Sequence, residues 1–493
     1  MAIRFEQSSK LLKSVRYYTR TFSSAPSTSI SAVSPLNFAE KPEPTVEKPA
    51  VIKPSSSSLI DIHDHEKLFA PLSTTKLLRA AFNLHLAAVE PVVDLGTWVM
   101  NSKLVDVNLT KEIVFGTVRH TFYEHFCAGG SAPEAENCIR KANDTGLRGM
   151  LVYAVEHTDD NSECDQNLQG FLETVRTAKS LPPSSVSFVI VKISAICRMS
   201  LLERVSHLLR WQKRDPSFNL PWKLNNFPIF SDCSPLYHTL QKPEPLTLQE
   251  EKELQLAHER LQKVCEECSN ANIQLTVDAE DTLVQPAIDY ITYDAAISFN
   301  KKDKPIVYNT MQAYLKDAKD RLFLAMQASE KMGVPMGFKL VRGAYMSSES
   351  KVADSMGFES PIHNSIQETH ACYNDCASFM LEKIAEGSGA VVLATHNVES
   401  GQQAAAKARE LGIDNGNEKL EFAQLYGMAE ALSFGLRNAG FQVSKYMPYG
   451  PVEKIIPYLL RRAEENRGFL SASNLDRQLM RKELMRRLKA AVL

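Results

Sequence analysis

Beyond residue 145 the chain alternates short apolar, β-rich runs with longer stretches of helical periodicity, the pattern of repeated βα units. Eight candidate strands stand out, at 150–154, 186–193, 273–277, 305–308, 336–341, 390–394, 420–424 and 441–445. Most are near-continuous apolar runs, as expected where both faces of a parallel sheet are covered. Lys339 and Lys445 break two of these runs and require partners. Eight such units before a closing helix predict an α/β fold of the (β/α)8 barrel type over 145–470, in preference to an open doubly wound sheet. Upstream, Leu, Phe and Val recur every three or four residues over 66–104 and 110–127, so 59–144 reads as an N-terminal helical region. The stretch 213–250 is rich in Pro and Asn and lacks periodicity. It reads as an insertion ahead of a helix at 249–269.

The termini differ in kind from the barrel region. In residues 1–35, Arg4, Lys10, Lys13, Arg16 and Arg20 face only Glu6, and a Ser/Thr/Ala-rich run follows, as in an organellar import signal, mitochondrial ahead of plastid. Residues 36–58 hold four prolines and four serines and read as a flexible linker. The basic C-terminal helix expected at 471–493 interleaves Arg477, Arg481, Lys482, Arg486, Arg487 and Lys489 with Leu and Met. It suits either an anionic surface or plain solvent. The most apolar long region, 83–99, is interrupted by His85, Glu90, Pro91 and Asp94 and falls short of a membrane span.

Over all 493 residues the composition is ordinary for a globular protein, and a net charge of −2 gives no electrostatic reason to expect nucleic acid. Of nine cysteines, Cys265 and Cys268 form a CxxC, but inside the predicted helix and without the turn a zinc knuckle needs. No metal site is expected, and the thiols suit a reducing compartment.

Barrel enzymes carry their chemistry at the carboxyl ends of the strands. Here six runs close on polar residues: Lys192; Asp278 with Glu280; Gln312; Lys339, Arg342 and Tyr345; Thr395, His396 and Asn397; and Tyr446. After the eighth run, Gly450 and Pro451 open a helix to about 466, in which Arg461, Arg462 and Glu465 can share one side. Glu465 can steady both guanidinium groups while their donor forks face a carboxylate. Lys192 and Asp278 fall on neighbouring strands and can pair across the mouth. No Ser–His–Asp arrangement, HExxH or paired-carboxylate spacing stands out, and GxGxxG and GxxxxGK(S/T) are absent from the sequence. A dinucleotide would lie across the strand ends and not on a Rossmann turn.

Taken together, VKISAICR, LTVDAE, NTMQAYL, KLVRGAY, LATHN, EFAQLYGM and YMPYGP…LLRRAEEN resemble the proline dehydrogenase family in its mitochondrial, plant-like form. The likeness spans roughly 145–470. It implies a distorted barrel with its last helix over the mouth, FAD held non-covalently at the strand ends, and L-proline oxidised to Δ1-pyrroline-5-carboxylate. It also implies electrons passed to a membrane quinone, and hence peripheral attachment to the mitochondrial inner membrane on the matrix side. By the resemblance, Arg461, Arg462 and Lys192 grip the substrate carboxylate, Glu465 steadies the helix, and Tyr446 packs on the pyrrolidine ring and favours proline over hydroxyproline. Asp278 stands beside them, and Tyr345 and Leu425 pack near substrate and flavin. Gln312, Lys339, Arg342, Gly343, Ala344, Thr395, His396, Asn397 and Leu425 fall in flavin-contact motifs. Two positions depart from the family pattern: Lys339 replaces an arginine, and Gly129–Gly130 replaces a glycine–glutamate pair. The rival readings are another flavin barrel resembling methylenetetrahydrofolate reductase, which would need stacking room for a pterin, and a scaffold that binds no flavin.

Overall fold

The computed structural model describes residues 59–102, 108–301, 304–467 and 473–492. The import signal and linker expected at 1–58 lie outside them. Eight parallel strands close a barrel in sequence order. They are β1 (Arg148–Tyr153), β2 (Val186–Val191), β3 (Gln274–Val277), β4 (Val307–Gln312), β5 (Gly337–Val341), β6 (Ala390–Ala394), β7 (Leu420–Leu425) and β8 (Val443–Tyr449). β1 is preceded by α1 (His65–Phe69), α2 (Thr74–Ala88), α3 (Glu90–Asn101), α4 (Asn108–Val118) and α5 (Ala132–Asn143). Between strands run α6 (Asn161–Ser180), α7 (Met199–Arg214), α8 (Leu248–Ala271), α9 (Gln285–Phe299), α10 (Ala318–Met332), α11 (Met346–Ser355), α12 (Ile366–Ala385), α13 (Val398–Glu410) and α14 (Glu430–Asn438). After β8 come α15 (Val452–Glu465) and α16 (Asn474–Val492).

Strand alternation sorts the core into two layers. Met150, Val152, Phe188, Ile190, Tyr308, Val392 and their neighbours fill the barrel interior. Residues of the opposite parity, such as Leu151, Val189, Leu275, Phe338 and Phe422, pack outward into the helical shell. The two lysines that interrupt the apolar runs fall on opposite sides of this division. Lys445 shares the outward parity of Val443 and Met447, and donates to Met428 O at 2.7 Å with Glu430 Oε1 at 3.3 Å. Lys339, between the outward Phe338 and Leu340, points inward to the mouth.

Two strands run further than the apolar pattern predicts. β4 continues to Gln312 because its polar residues are paired: Asn309 Nδ2 donates outward to Asp289 Oδ1 on α9 at 2.9 Å, and Thr310 Oγ1 donates to Val277 O at 2.7 Å. β8 continues to Tyr449, which places Tyr446 inside the strand and not beyond it. Pro448 has no N–H to give the ladder, and its carbonyl accepts Ala128 N–H at 2.7 Å. Pro451 occupies the N-cap of α15, one position before the first turn.

Residues 215–247 form neither helix nor strand, and α8 starts at a capping box between Thr247 and Glu250. The segment is nonetheless anchored, with Leu220, Phe227, Ile229, Tyr237 and Leu246 buried. Cys265 and Cys268 are buried within α8, and among the described residues no cluster suits a metal ion. No described helix is long and apolar enough to cross a membrane.

Candidate active site

Four strands bring opposite charges together at the mouth. Lys192 directly follows β2, Asp278 directly follows β3, and Lys339 and Tyr446 stand on the inward faces of β5 and β8. Asp278 Oδ1 is hydrogen-bonded to Lys339 Nζ; its Oδ2 accepts the Tyr446 hydroxyl at 2.9 Å and lies 3.7 Å from Lys192 Nζ. The expected Lys192–Asp278 pair is therefore present, and Lys339 shares its carboxylate. Lys339 also lies 5.6 Å from the centre of the Tyr446 ring. Burial would raise the Asp278 carboxyl, but Lys339 and Lys192 outweigh it and hold Asp278 below its ordinary range. Burial also opposes the charge of Lys192, yet Glu156 and Asp278 keep it above its ordinary value.

The helix α15 takes the place expected of an outer helix and instead crosses the mouth, touching the loops after β1 and β5 and the face of β8. Arg461 meets Glu156 through both oxygens, at 3.1 and 3.3 Å, and its guanidinium sits 5.7 Å from the Tyr345 ring centre. Arg462 is hydrogen-bonded to Glu465 and lies 4.9 Å from the ring of Tyr458, which stacks on Tyr446 at 6.2 Å. Helical spacing predicted that Glu465 would steady both arginines. The structure divides that work, because Glu156 from the loop after β1 is the carboxylate that reaches Arg461. Arg462 is 4% exposed, and its buried Nε has no hydrogen-bond partner.

Glu156 carries no mark in the helical spacing. It holds Arg461 and also lies 3.4 Å from Lys192 Nζ, and these two cations outweigh its burial and keep it well below the usual carboxylate range. Its neighbour His157 adopts φ +58°, and lies 3.3 Å from Glu280 Oε2. Glu280 accepts the Ser194 hydroxyl at 2.7 Å. The signal for Glu156 was available: it closes the first apolar run as Lys192 and Asp278 close the next two.

A second group of expected residues lines the β4–β7 side. Gln312 donates to Glu280 O at 2.8 Å, which leaves its own carbonyl oxygen available. Arg342 spans Thr395 Oγ1 (2.7 Å), Ser400 Oγ (2.8 Å) and His370 Nδ1 (3.0 Å), beside the N-terminus of α13 capped by Asn397. Gly343 has φ +138°, and a Cβ there would lie 2.5 Å from the Tyr314 ring, so only glycine fits this turn before Ala344. His396 Nε2 accepts the Leu425 N–H at 3.1 Å, which puts the ring proton on Nδ1. Burial, with Lys445 and Arg462 nearby, lowers His396 to about 3 and keeps it neutral. A helix N-terminus beside a guanidinium suits a diphosphate, and a neutral histidine and a glutamine offer ring-directed hydrogen bonds. The residues present fit a flavin dinucleotide.

At the family's glycine–glutamate position, Gly130 N–H donates to Glu134 Oε2 at 2.9 Å, and Gly129 O accepts Gly450 N–H at 2.9 Å. This ties the start of α15 to the N-terminal region.

Comparison with known proteins identifies the family and the fold. The family model for proline dehydrogenase matches residues 135–475. Mitochondrial proline dehydrogenase 2 of Arabidopsis thaliana is 58% identical over 93% of this chain and 97% of its own length. Human hydroxyproline dehydrogenase is 32% identical over 84% and 91%. The crystal structure of proline utilization A from Bdellovibrio bacteriovorus shares the fold, with a TM-score of 0.56 at 20% identity, over 84% of this chain and 40% of that longer one. The chain belongs to the proline dehydrogenase family, in its mitochondrial, plant-like form.

Proposed function

We propose that the protein is an FAD-dependent enzyme that oxidises L-proline to Δ1-pyrroline-5-carboxylate, the first step of proline catabolism, and passes the electrons to a membrane quinone. Family membership makes it an oxidoreductase acting on proline. The observation that carries the mechanism is the placement of Arg461 and Arg462 on a helix over the mouth, facing Lys192 with Tyr446 and Tyr345 alongside. Bound flavin supplies the acceptor, at N5, for hydride from proline C5.

The chain supplies orientation and electrostatics. Arg461, Arg462 and Lys192 bind the substrate carboxylate and fix one end of a small ring, while Glu465 and Glu156 hold the arginines. Tyr446, Tyr345 and Leu425 press the ring toward the flavin, with Asp278 fixing the Tyr446 hydroxyl. Gln312, Lys339, Arg342, Gly343, Ala344, Thr395, His396 and Asn397 form the flavin side. The ring nitrogen must lose its proton before or during oxidation, so kcat/KM is expected to rise with pH.

The location proposed is the mitochondrial matrix face of the inner membrane, with 1–35 as import signal and 36–58 as linker. Peripheral attachment is supported by Leu78, Phe82, Leu95, Trp98 and Ile113 on α2–α4, each 59–62% exposed. That surface adjoins the site helix through the Arg467–Asp94 pair at 2.9 Å.

The test is anaerobic addition of L-proline to the purified yellow protein. Bleaching of the flavin absorbance is expected. Bound flavin that never bleaches with proline would refute the substrate, and protein without flavin would refute the cofactor.

A further inference from the structure

Glu349 is a carboxylate with no part in the site just described, yet it is 2% exposed in the first turn of α11. Its backbone N–H bonds Tyr345 O at 3.0 Å, so Glu349 and the ring beside Arg461 move as one turn of helix. Glu349 Oε1 accepts Thr282 N–H at 2.6 Å, and Oε2 accepts the Thr282 hydroxyl at 2.5 Å. Thr282 lies four residues past Asp278 in the loop after β3. One carboxylate thus joins the two loops that carry Tyr345 and Asp278.

The far side of Thr282 is held from outside the mouth. Arg210 on α7 donates to the carbonyls of Thr282 and of Leu283, the latter at 2.9 Å. His238, in the 215–247 segment, places Nε2 2.8 Å from the Thr282 hydroxyl oxygen. That hydroxyl has one proton and gives it to Glu349, so His238 Nε2 donates the second bond. The adjacent Tyr237 stacks on Phe358, just beyond the end of α11, with ring centres 5.3 Å apart and an interplanar angle of 18°. The segment therefore bears on α11 from both ends. Burying a carboxylate is costly unless its oxygens are satisfied, and here both are, by a single residue of the neighbouring loop.

We propose that Glu349 is a positioning residue for proline oxidation: clamped through Thr282 to the loop after β3 and to the 215–247 segment, it fixes Tyr345 against the substrate ring. This rests on the reading of Tyr345 as a ring contact. The flavin-loaded full chain is compared as Glu349→Ala, Glu349→Gln and Thr282→Val, each alone and with Tyr345→Ala. Glu349→Ala is expected to raise KM for proline about tenfold while the bound-flavin spectrum is retained. Glu349→Gln, whose amide can make both bonds after the Thr282 hydroxyl turns to His238, is expected to stay within about threefold of the parent. Added to Tyr345→Ala, Glu349→Ala is expected to cost less than about a further twofold, because its effect runs through that ring. Where Glu349→Ala does not load flavin, Thr282→Val carries the same comparison, with an expected rise of about threefold. An unchanged KM in Glu349→Ala or its stand-in, equal damage from Gln and Ala, or a full effect on top of Tyr345→Ala would each overturn the proposal. A Tyr345→Ala variant with unaltered KM would overturn it by a different route, by removing the ring contact itself.

Discussion

Replacing Arg462 by methionine removes a guanidinium that is 4% exposed while keeping much of its apolar stem. Arg462 is bonded to Glu465 through Nη2, and its Nε is buried without a partner. A hydrogen bond from a charged donor is worth about 1.5–3 kcal/mol net, and more when the donor would otherwise stay unsatisfied. Loss of that bond to the substrate carboxylate corresponds to a rise in KM of about 10- to 150-fold. The partner left behind, Glu465, is 38% exposed at its side chain and can be hydrated, so the fold should lose little. The assay is steady-state kinetics with L-proline, alongside the flavin spectrum and thermal melting. The expected result is a raised KM with flavin content and Tm close to the parent. Arg462→Lys should fall between, since it restores the charge but not the fork. A KM within about twofold of the parent in the flavin-loaded methionine variant would refute the carboxylate assignment.

Two further outcomes follow from the same geometry. Tyr446→Ser opens the space above the ring and removes the 2.9 Å bond to Asp278. It should shift the ratio of kcat/KM for hydroxyproline over proline upward by about tenfold or more, and an unchanged ratio would refute Tyr446 as the selector. Glu156 and Asp278 are held below their ordinary values of 4.5 and 3.8, so the stability they contribute is fully present above those values. It is lost as pH falls through the lower folded values. Tm should therefore drop on acidification below about pH 4.5, with a shallower drop in Asp278→Asn; a Tm that rises there would contradict the pairing.

The eight strands were legible because a sheet covered on both faces needs apolar residues at nearly every position, and short apolar runs stand out between helical ones. The extra length of β4 was not, because Asn309 and Thr310 are tolerated only through Asp289 and Val277, partners distant in sequence. The arginine pair was visible as helical spacing, which reports only neighbours on the same helix. It identified Glu465 for Arg462 but could not show that Arg461 would turn to Glu156, 305 residues away. Lys339 was expected on the flavin side, and its bond to Asp278 shows how one strand position can serve the charge cluster at the mouth. The tie from Glu349 through Thr282 to His238 was illegible for the same reason, since it joins a helix and two loops with no shared period.

On the proposed reading, the clamp turns proline so that C5, and not C2, faces the flavin. Anaerobic reduction of the bound flavin by L-proline deuterated at C5, compared with proline deuterated at C2, tests it most directly. Slower bleaching with the C5 label and an unaltered rate with the C2 label are expected. A rate slowed by the C2 label and indifferent to the C5 label would contradict the orientation that Arg461, Arg462 and Lys192 are taken to impose.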